Sequence, residues 1–220
     1  MISIKEAGTI GGETIREATI EDGDASLSIL SYGCVTRDWR VPKPGRRIPV
    51  VLGFPDVETY PEHSRSFGII TGRVANRTAL GRFTLDGESY QLPTNNGPNH
   101  LHGGIKGLGR RNWTLEADSA ENTVLLTYAS PDGEEGYPGA VDFEVRISFE
   151  NGRATYDMTG RPDRVTPINL AQHNYYNLNG TGDVLGHQMQ LAASEFTPVD
   201  QTLIPTGELA SVANLSLIHI

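Results

Sequence analysis

The sequence predicts an all-β protein, folded as one large antiparallel β-sandwich. Apolar and polar residues alternate with a period of two in several segments, which is typical of strands with one buried face. Turn-forming pairs such as Asn151-Gly152 separate these segments, and the 220 residues include 25 Gly and 13 Pro. Strand signals recur about every ten residues, a spacing that favours antiparallel sheets over alternating strands and helices. We therefore expect no long amphipathic helix.

The strands can be assigned in chain order from this alternation. ASLSILSYG at 25–33 is the first clear strand. In GRFTLDGESYQL at 81–92, two short strands flank Asp86-Gly87, a pair that suits a tight hairpin turn. NTVLLTY at 122–128 is again rich in apolar and β-branched residues, as strands are.

The clearest hairpin spans residues 141–159. Every second residue of VDFEVRISFE is apolar, Asn151-Gly152 follows as the preferred sequence of a type I′ turn, and RATYDMT resumes the alternation. The pattern turns one apolar face of each strand toward a core, formed by Val141, Phe143, Val145, Ile147, Phe149, Ala154, Tyr156 and Met158.

Composition and charge exclude several classes of function. The chain has 18 basic and 27 acidic side chains, a formal net charge of −9 and no Lys/Arg run, so we expect no nucleic-acid partner. No apolar stretch approaches the roughly 20 residues of a membrane helix, so we expect no membrane partner. The N-terminus lacks the apolar segment of a signal peptide, and Cys34 is the only cysteine. Both features favour a cytoplasmic protein.

Two of the six histidines lie in segments with the composition of functional loops. His173 is flanked by Gln172 and Asn174 in TPINLAQHNYYNLNG, and His102 lies in GPNHLHGGIKGLG. Segments rich in Gly, Asn and Pro are typical of loops and strand ends, where sites concentrate. Any one histidine is more often a hydrogen-bonded structural residue, so its context has to decide.

The pair His100 and His102 permits a metal-site hypothesis. Two histidines one residue apart on a strand point to the same side, as in cupin-type metal sites. Such a site also needs a nearby carboxylate, and the first acidic residue after His102 is Glu116. A cupin-like metal enzyme is therefore only a distant alternative, and we expect no metal.

Two further clusters each allow two interpretations. The three carboxylates of SPDGEEGYPG (130–139) could divide acid and base work, although a solvated turn is favoured. Arg73, Asn76 and Arg77 together present several hydrogen-bond donors and an amide oxygen. That set suits a neutral polyol and equally suits backbone carbonyls.

Five segments resemble the aldose 1-epimerase (galactose mutarotase) family, in the family's order and with similar separations. Each would be weak alone, but five in order are specific. The resemblance runs to residue 213 and implies a large antiparallel β-supersandwich of the galactose mutarotase type. The segments are GRVANR (72–77), NHLHGG (99–104), SPDGEEGYPG (130–139), TPINLAQHNYYNLNG (166–180) and FTPVDQTLIPTGEL (196–209).

The resemblance implies an isomerase that interconverts the α and β anomers of free aldohexoses, such as galactose and glucose, without a cofactor or metal. By motif, His173 corresponds to the general acid that protonates the ring oxygen. His102 corresponds to the second histidine, which hydrogen-bonds the sugar as its ring opens. Asn76 and Arg77 correspond to hydroxyl-binding residues. Neutral amides around His173 suit an uncharged sugar.

The family's general base is a glutamate close to its C-terminus, preceded by a sugar-binding aspartate, and the resemblance implies that this chain lacks both. We expect residues 1–213 to be the N-terminal portion of a mutarotase-like domain that is incomplete at its C-terminus. Residues 214–220 are expected to be a short tail that does not resemble the family. The alternative function is a non-catalytic carbohydrate-binding domain. No pattern indicates an oligomeric state.

Overall fold

Antiparallel strands form almost all the regular structure of the chain, which confirms the all-β prediction. The computed structural model describes residues 1–64 and 66–214, so Arg65 and positions 215–220 of the expected tail lie outside the described residues. The one α-helix among the described residues is the single turn α1 (Tyr60–His63). No helix in this part of the chain is long and apolar enough to cross a membrane.

The described residues form two larger sheets and four two-stranded pairs. The first sheet comprises, in order, β1 (Ile2–Ile10), β2 (Glu13–Asp22), β3 (Ala25–Leu30), β4 (Thr36–Lys43) and β5 (Arg46–Pro49). Short strands follow: β6 (Ile70–Thr71), β7 (Arg77–Thr78), β8 (Arg82–Leu85), β9 (Glu88–Gln91) and β10 (His100–Leu101). The second sheet comprises β11 (Thr114–Asp118), β12 (Thr123–Ser130), β13 (Val141–Glu150) and β14 (Arg153–Pro162), and β15 (Ala171–Gln172), β16 (Glu195–Phe196) and β17 (Ala210–Ser211) come last. Single 3-10 turns lie at Val57–Thr59, Ala79–Gly81, Leu108–Arg110, Glu134–Gly136 and Val212–Asn214.

The two hairpins predicted from their turn sequences are confirmed. Strands β13 and β14 pair with Glu150 opposite Arg153, and Asn151 and Gly152 between them have the positive φ values of 53° and 69° that a type I′ turn requires. Strands β8 and β9 pair in the same way around their Asp-Gly turn.

The strand predicted at 25–33 is shorter than expected, because β3 ends at Leu30. Gly33 and Cys34 both adopt left-handed backbone (φ 61° and 52°), which turns the chain out of the strand. Cys34 is fully buried, and burial raises the pKa of its thiol well above the usual value.

The core lies between the two larger sheets, as expected of a sandwich. The apolar face predicted for β13 is buried to within 1% exposure at every position. It packs with residues from both sheets in one cluster, which includes Ala18, Ile20, Leu27, Ile29, Leu115, Val124, Leu126, Val141, Phe143, Val145, Ile147 and Phe149.

Two short strand pairs position the histidines singled out in the sequence. Strand β6 pairs with β15, and His173 is the first residue after β15. Strand β7 pairs with β10, and His102 is the first residue after β10. Because β6 and β7 belong to one continuous segment, residues 70–78, that segment supports both histidines.

Candidate active site

Backbone hydrogen bonds hold His173 beside the start of β6. The His173 N–H donates to the carbonyl of Ile69 (3.0 Å), and the His173 carbonyl accepts from the N–H of Gly68 (3.0 Å). The imidazole stacks on the ring of Tyr175, with centroids 5.2 Å apart and an interplanar angle of 27°. The ring is half-buried and has an aromatic surface on one side.

His102 is fixed by a reciprocal pair of hydrogen bonds with Asn76. The His102 N–H donates to the Asn76 carbonyl (2.9 Å), and the Asn76 N–H donates to Nδ1 of the His102 ring (3.0 Å). Both residues adopt left-handed backbone, with φ of 53° for His102 and 62° for Asn76. Because Nδ1 accepts a hydrogen bond, the neutral ring carries its proton on Nε2.

The two imidazoles are neighbours. Their centroids are 5.1 Å apart and their planes are perpendicular, at 89°. Burial, followed by charge repulsion from the nearby His173 and Arg77, lowers the pKa of His102 to about 4. At neutral pH, His102 is therefore an uncharged donor of the Nε2 hydrogen.

Arg77 lies beside this pair on β7. Its Nε donates to Oδ1 of Asn96 (2.9 Å), and its Nη1 lies 3.3 Å from Oδ1 of Asn76. Arg77 is half-buried and Asn76 is exposed. The structure thus brings all four predicted site residues, His173, His102, Asn76 and Arg77, to one place on the surface.

A cleft of about 230 Å³ opens next to His102. None of the described residues that line it is acidic. Its wall is neutral apart from one arginine and is formed by Ser66, Ile69, Asn95, Leu101, His102, Gly104, Ile105, Gly107, Gly109 and Arg110.

The comparison with known proteins is consistent across sequence and structure. A family model described as "Aldose 1-epimerase" matches residues 16–218. This chain belongs to the aldose 1-epimerase family. Galactose mutarotase from Bos taurus is 42% identical over 206 residues, which are 92% of this chain and 60% of that protein. Aldose 1-epimerase from Escherichia coli K12 is 32% identical over 209 residues, which are 93% of this chain and 60% of that protein.

Solved structures of this family share the fold. A GalM/aldose epimerase homologue from C. elegans superposes with a TM-score of 0.83 at 30% identity, covering 89% of this chain and 61% of that one. Galactose 1-epimerase from Lactobacillus acidophilus NCFM gives a TM-score of 0.82 at 27% identity, covering 97% and 64%. The chain therefore spans about three fifths of the length of the aldose 1-epimerases it matches.

The expectation that His100 and His102 share one side of a strand is wrong. Strand β10 ends at Leu101, and the left-handed backbone of His102 redirects its side chain. His100 is fully buried, its Nδ1–H donates to the Pro93 carbonyl (2.7 Å), and its Nε2 accepts from the Tyr137 hydroxyl (2.8 Å). Both ring nitrogens are thus occupied, which leaves none for a metal. Across residues 1–64 and 66–214, no three His, Cys, Asp or Glu side chains group as metal ligands would.

Of the two interpretations of the 73–77 cluster, Arg73 follows the one in which an arginine binds backbone carbonyls. Arg73 is 2% exposed, and its guanidinium donates to three backbone carbonyls and to Oγ of Ser130. Its charge also lies 5.7 Å from the centre of the Tyr137 ring. Arg73 therefore links the 130–139 turn to residues 70–78, the segment that supports both histidines, and is not accessible to a sugar.

The three carboxylates of the 130–139 turn have structural partners. Glu134 accepts from Tyr128 and Ser130 and pairs with Arg111 at 2.9 Å, and its side chain is only 10% exposed, so the expected solvated turn is wrong for this residue. Asp132 accepts from the Gly139 N–H and from Arg164. Both oxygens of Glu135 accept backbone N–H groups of the segment that follows His102.

Sequence reasoning missed Asn95 and Asn96 as parts of the site. Asn96 orients Arg77, and Asn95 lines the cleft. The available signal was the adjacent pair Asn95-Asn96 in the polar segment PTNNGPNH, just before the HLH motif. Amides in such turns commonly bond nearby backbone groups, so the pair did not stand out from ordinary turn residues.

Proposed function

We propose that the protein is an aldose 1-epimerase that interconverts the α and β anomers of free aldohexoses such as galactose and glucose. The observation that supports this most is the perpendicular pair of imidazoles, His173 and His102, 5.1 Å apart, of which His102 lines a cleft without acidic residues. Relatives that match 92–93% of this chain are a galactose mutarotase and an aldose 1-epimerase.

In the proposed reaction, the bond between C1 and the ring oxygen breaks. The ring oxygen gains a proton from His173 as the anomeric hydroxyl loses one to a base, which gives the open aldehyde. Rotation about C1–C2 and ring closure on the other face, with both protons returned, yields the other anomer. An acid and a base acting together each typically contribute about 10²–10⁴-fold. A histidine suits the acid because its ordinary pKa lies near neutrality.

The remaining residues have binding roles in this proposal. His102 is neutral and offers Nε2–H to a sugar oxygen, so it can stabilise charge that develops as the ring opens. Arg77 and Asn76 bind hydroxyls, and Asn96 keeps the Arg77 guanidinium oriented. No cofactor takes part. A cytoplasmic location is proposed with this function and is supported by a single, buried cysteine, Cys34.

A second candidate, a carbohydrate-binding domain without turnover, is favoured by one observation. No carboxylate is among the described residues lining the cleft, and Glu134 and Glu135 already accept hydrogen bonds. The family resemblance assigns the base to a glutamate outside the segments this chain shares with the family. Residues 1–213 would then contribute the acid and the sugar-binding groups, and no base.

Polarimetry of freshly dissolved α-D-galactose tests the first candidate. Acceleration by the chain, reduced at least about 10²-fold in His173→Gln, would support it. His63→Gln is the matched control, because His63 is exposed at 65%. Equal acceleration by the parent and His173→Gln would refute the role of His173. Saturation-transfer NMR showing galactose bound without any acceleration would support the second candidate.

A further inference from the structure

The segment after His102 depends on bonds from elsewhere in the fold. Gly103, Gly104 and Gly107 give it little side-chain packing, and Gly103 lies with its Cα against the Gly72 carbonyl. Within the segment, the Gly104 N–H donates to the carbonyl of Leu101 (3.1 Å). The orientation of His102 therefore depends on its hydrogen bonds with Asn76 and also on the groups that hold the backbone on either side of it.

The side-chain amide of Asn95 forms hydrogen bonds with the backbone on both sides of His102. Its Oδ1 accepts from the Leu101 N–H (2.7 Å), and its Nδ2 donates to the carbonyls of Leu101 (3.0 Å) and Gly104 (2.8 Å). Both hydrogens of Nδ2 are thus used on the residues that bracket His102. Although Asn95 lines the cleft, its donors are committed to the backbone and unavailable to a sugar.

Glu135, in the 130–139 turn, forms hydrogen bonds with the backbone of the next two residues, Ile105 and Lys106. Its Oε2 accepts from the Ile105 N–H (2.9 Å) and its Oε1 from the Lys106 N–H (2.8 Å). A Cβ on Gly104 would collide with this carboxylate, so backbone and carboxylate are in close contact. Glu135 itself has left-handed backbone (φ 52°).

We infer that Asn95 and Glu135 are positioning residues that set the orientation of the His102 imidazole for sugar binding. They act from two separate parts of the sequence. Together their side chains hold the N–H groups of Leu101, Ile105 and Lys106 and the carbonyls of Leu101 and Gly104. The effect on sugar binding rests on the proposed function, but the orientation of the His102 imidazole can be measured without any reaction.

The test is 15N NMR of the imidazoles in the full chain, with Glu135→Ala and Asn95→Ala compared with the parent. In the parent, His102 should show an unprotonated Nδ1 and a protonated Nε2, because Nδ1 accepts from Asn76. In each variant we expect a mixture of tautomers and a pKa that rises from about 4 toward its ordinary value. Glu116→Ala, an exposed glutamate on β11, is the matched control and should leave both unchanged.

Glu135→Gln keeps the test decisive if the alanine variant fails to fold. Its amide oxygen can accept one of the two N–H groups, so we expect a change in His102 between those of the parent and Glu135→Ala. A folded Glu135→Gln or Asn95→Ala with the parent's His102 tautomer and titration would overturn the inference.

Mutarotase activity is a second measurement, and it separates failure of the proposed function from failure of the positioning inference. If the parent accelerates mutarotation, each alanine variant should lower kcat about 10–100-fold with KM changed less, and Glu135→Gln should restore part of it. A parent that shows no acceleration would count against the proposed function, while the NMR result would still decide whether Asn95 and Glu135 position His102.

Discussion

Arg73→Met tests whether Arg73 is a structural residue or a sugar ligand. The buried guanidinium donates to the carbonyls of Pro138 (3.0 Å), Gly139 (2.8 Å) and Pro131 (3.2 Å) and to Ser130 Oγ (2.7 Å). Hydrogen bonds to a charged donor contribute about 1.5–3 kcal/mol each. Burying the guanidinium offsets much of that sum, but each buried carbonyl that loses its donor costs about 1–3 kcal/mol.

We therefore expect Arg73→Met to lower the free energy of unfolding by about 4 kcal/mol, and to lower the melting temperature of a chain of this size by about 10 °C. The assay is urea denaturation followed by circular dichroism, supported by a thermal melt. The matched control is Arg161→Met, since Arg161 is 63% exposed and 3.6 Å from Glu144, and its loss should cost under about 1 kcal/mol.

Arg73→Lys should fall between the two, because an ammonium group keeps the charge and three donors but cannot span the same carbonyls. A loss below about 1 kcal/mol in Arg73→Met, together with weaker galactose binding, would refute this reasoning. Arg73 would then act on the sugar, the interpretation that its burial argues against.

Three further outcomes follow from the same contacts. Folding depresses the pKa of His102 to about 4, so the unfolded chain binds more protons than the folded chain between pH 6.5 and 4. Urea titrations should therefore show that the free energy of unfolding is highest above pH 6.5 and falls below it, and that it falls less steeply with pH in His102→Gln. Tyr137→Phe removes the donor to Nε2 of buried His100 and should cost about 1–3 kcal/mol in a thermal melt, with no change if that bond is absent. Gly103→Ala puts a Cβ against the Gly72 carbonyl at φ 81° and should cost at least about 2 kcal/mol by urea denaturation, whereas a cost near zero would contradict the close approach.

Much of the fold could be predicted because its strands are regular. The face of β13 alternates for ten residues and is buried as the pattern requires, and Asn151-Gly152 fixes the register of the hairpin. Period-two reasoning fails where a strand is two residues long. It predicted that His100 and His102 face together, but β10 ends between them and the left-handed backbone of His102 breaks the alternation.

The site could be predicted in part, for a related reason. His173, His102, Asn76 and Arg77 lie in ordered family-like segments, and the structure brings them together. Most of the partners that hold them could not be found from sequence, because most of these bonds join residues distant along the chain. Glu135 and Lys106 are 29 residues apart in the sequence, and Arg73 and Pro138 are 65 residues apart. Local sequence patterns do not indicate which distant residues pair.

The central claim, that His102 and His173 together form a sugar site, is tested most directly by NMR of the histidine side chains during a galactose titration. We expect the imidazole signals of His102 and His173 to shift together and to saturate at one ligand concentration. Buried His100 and exposed His63 should stay in place as internal controls. Signals of His102 and His173 that do not move at saturating galactose, or that move no more than those of His63, would contradict it.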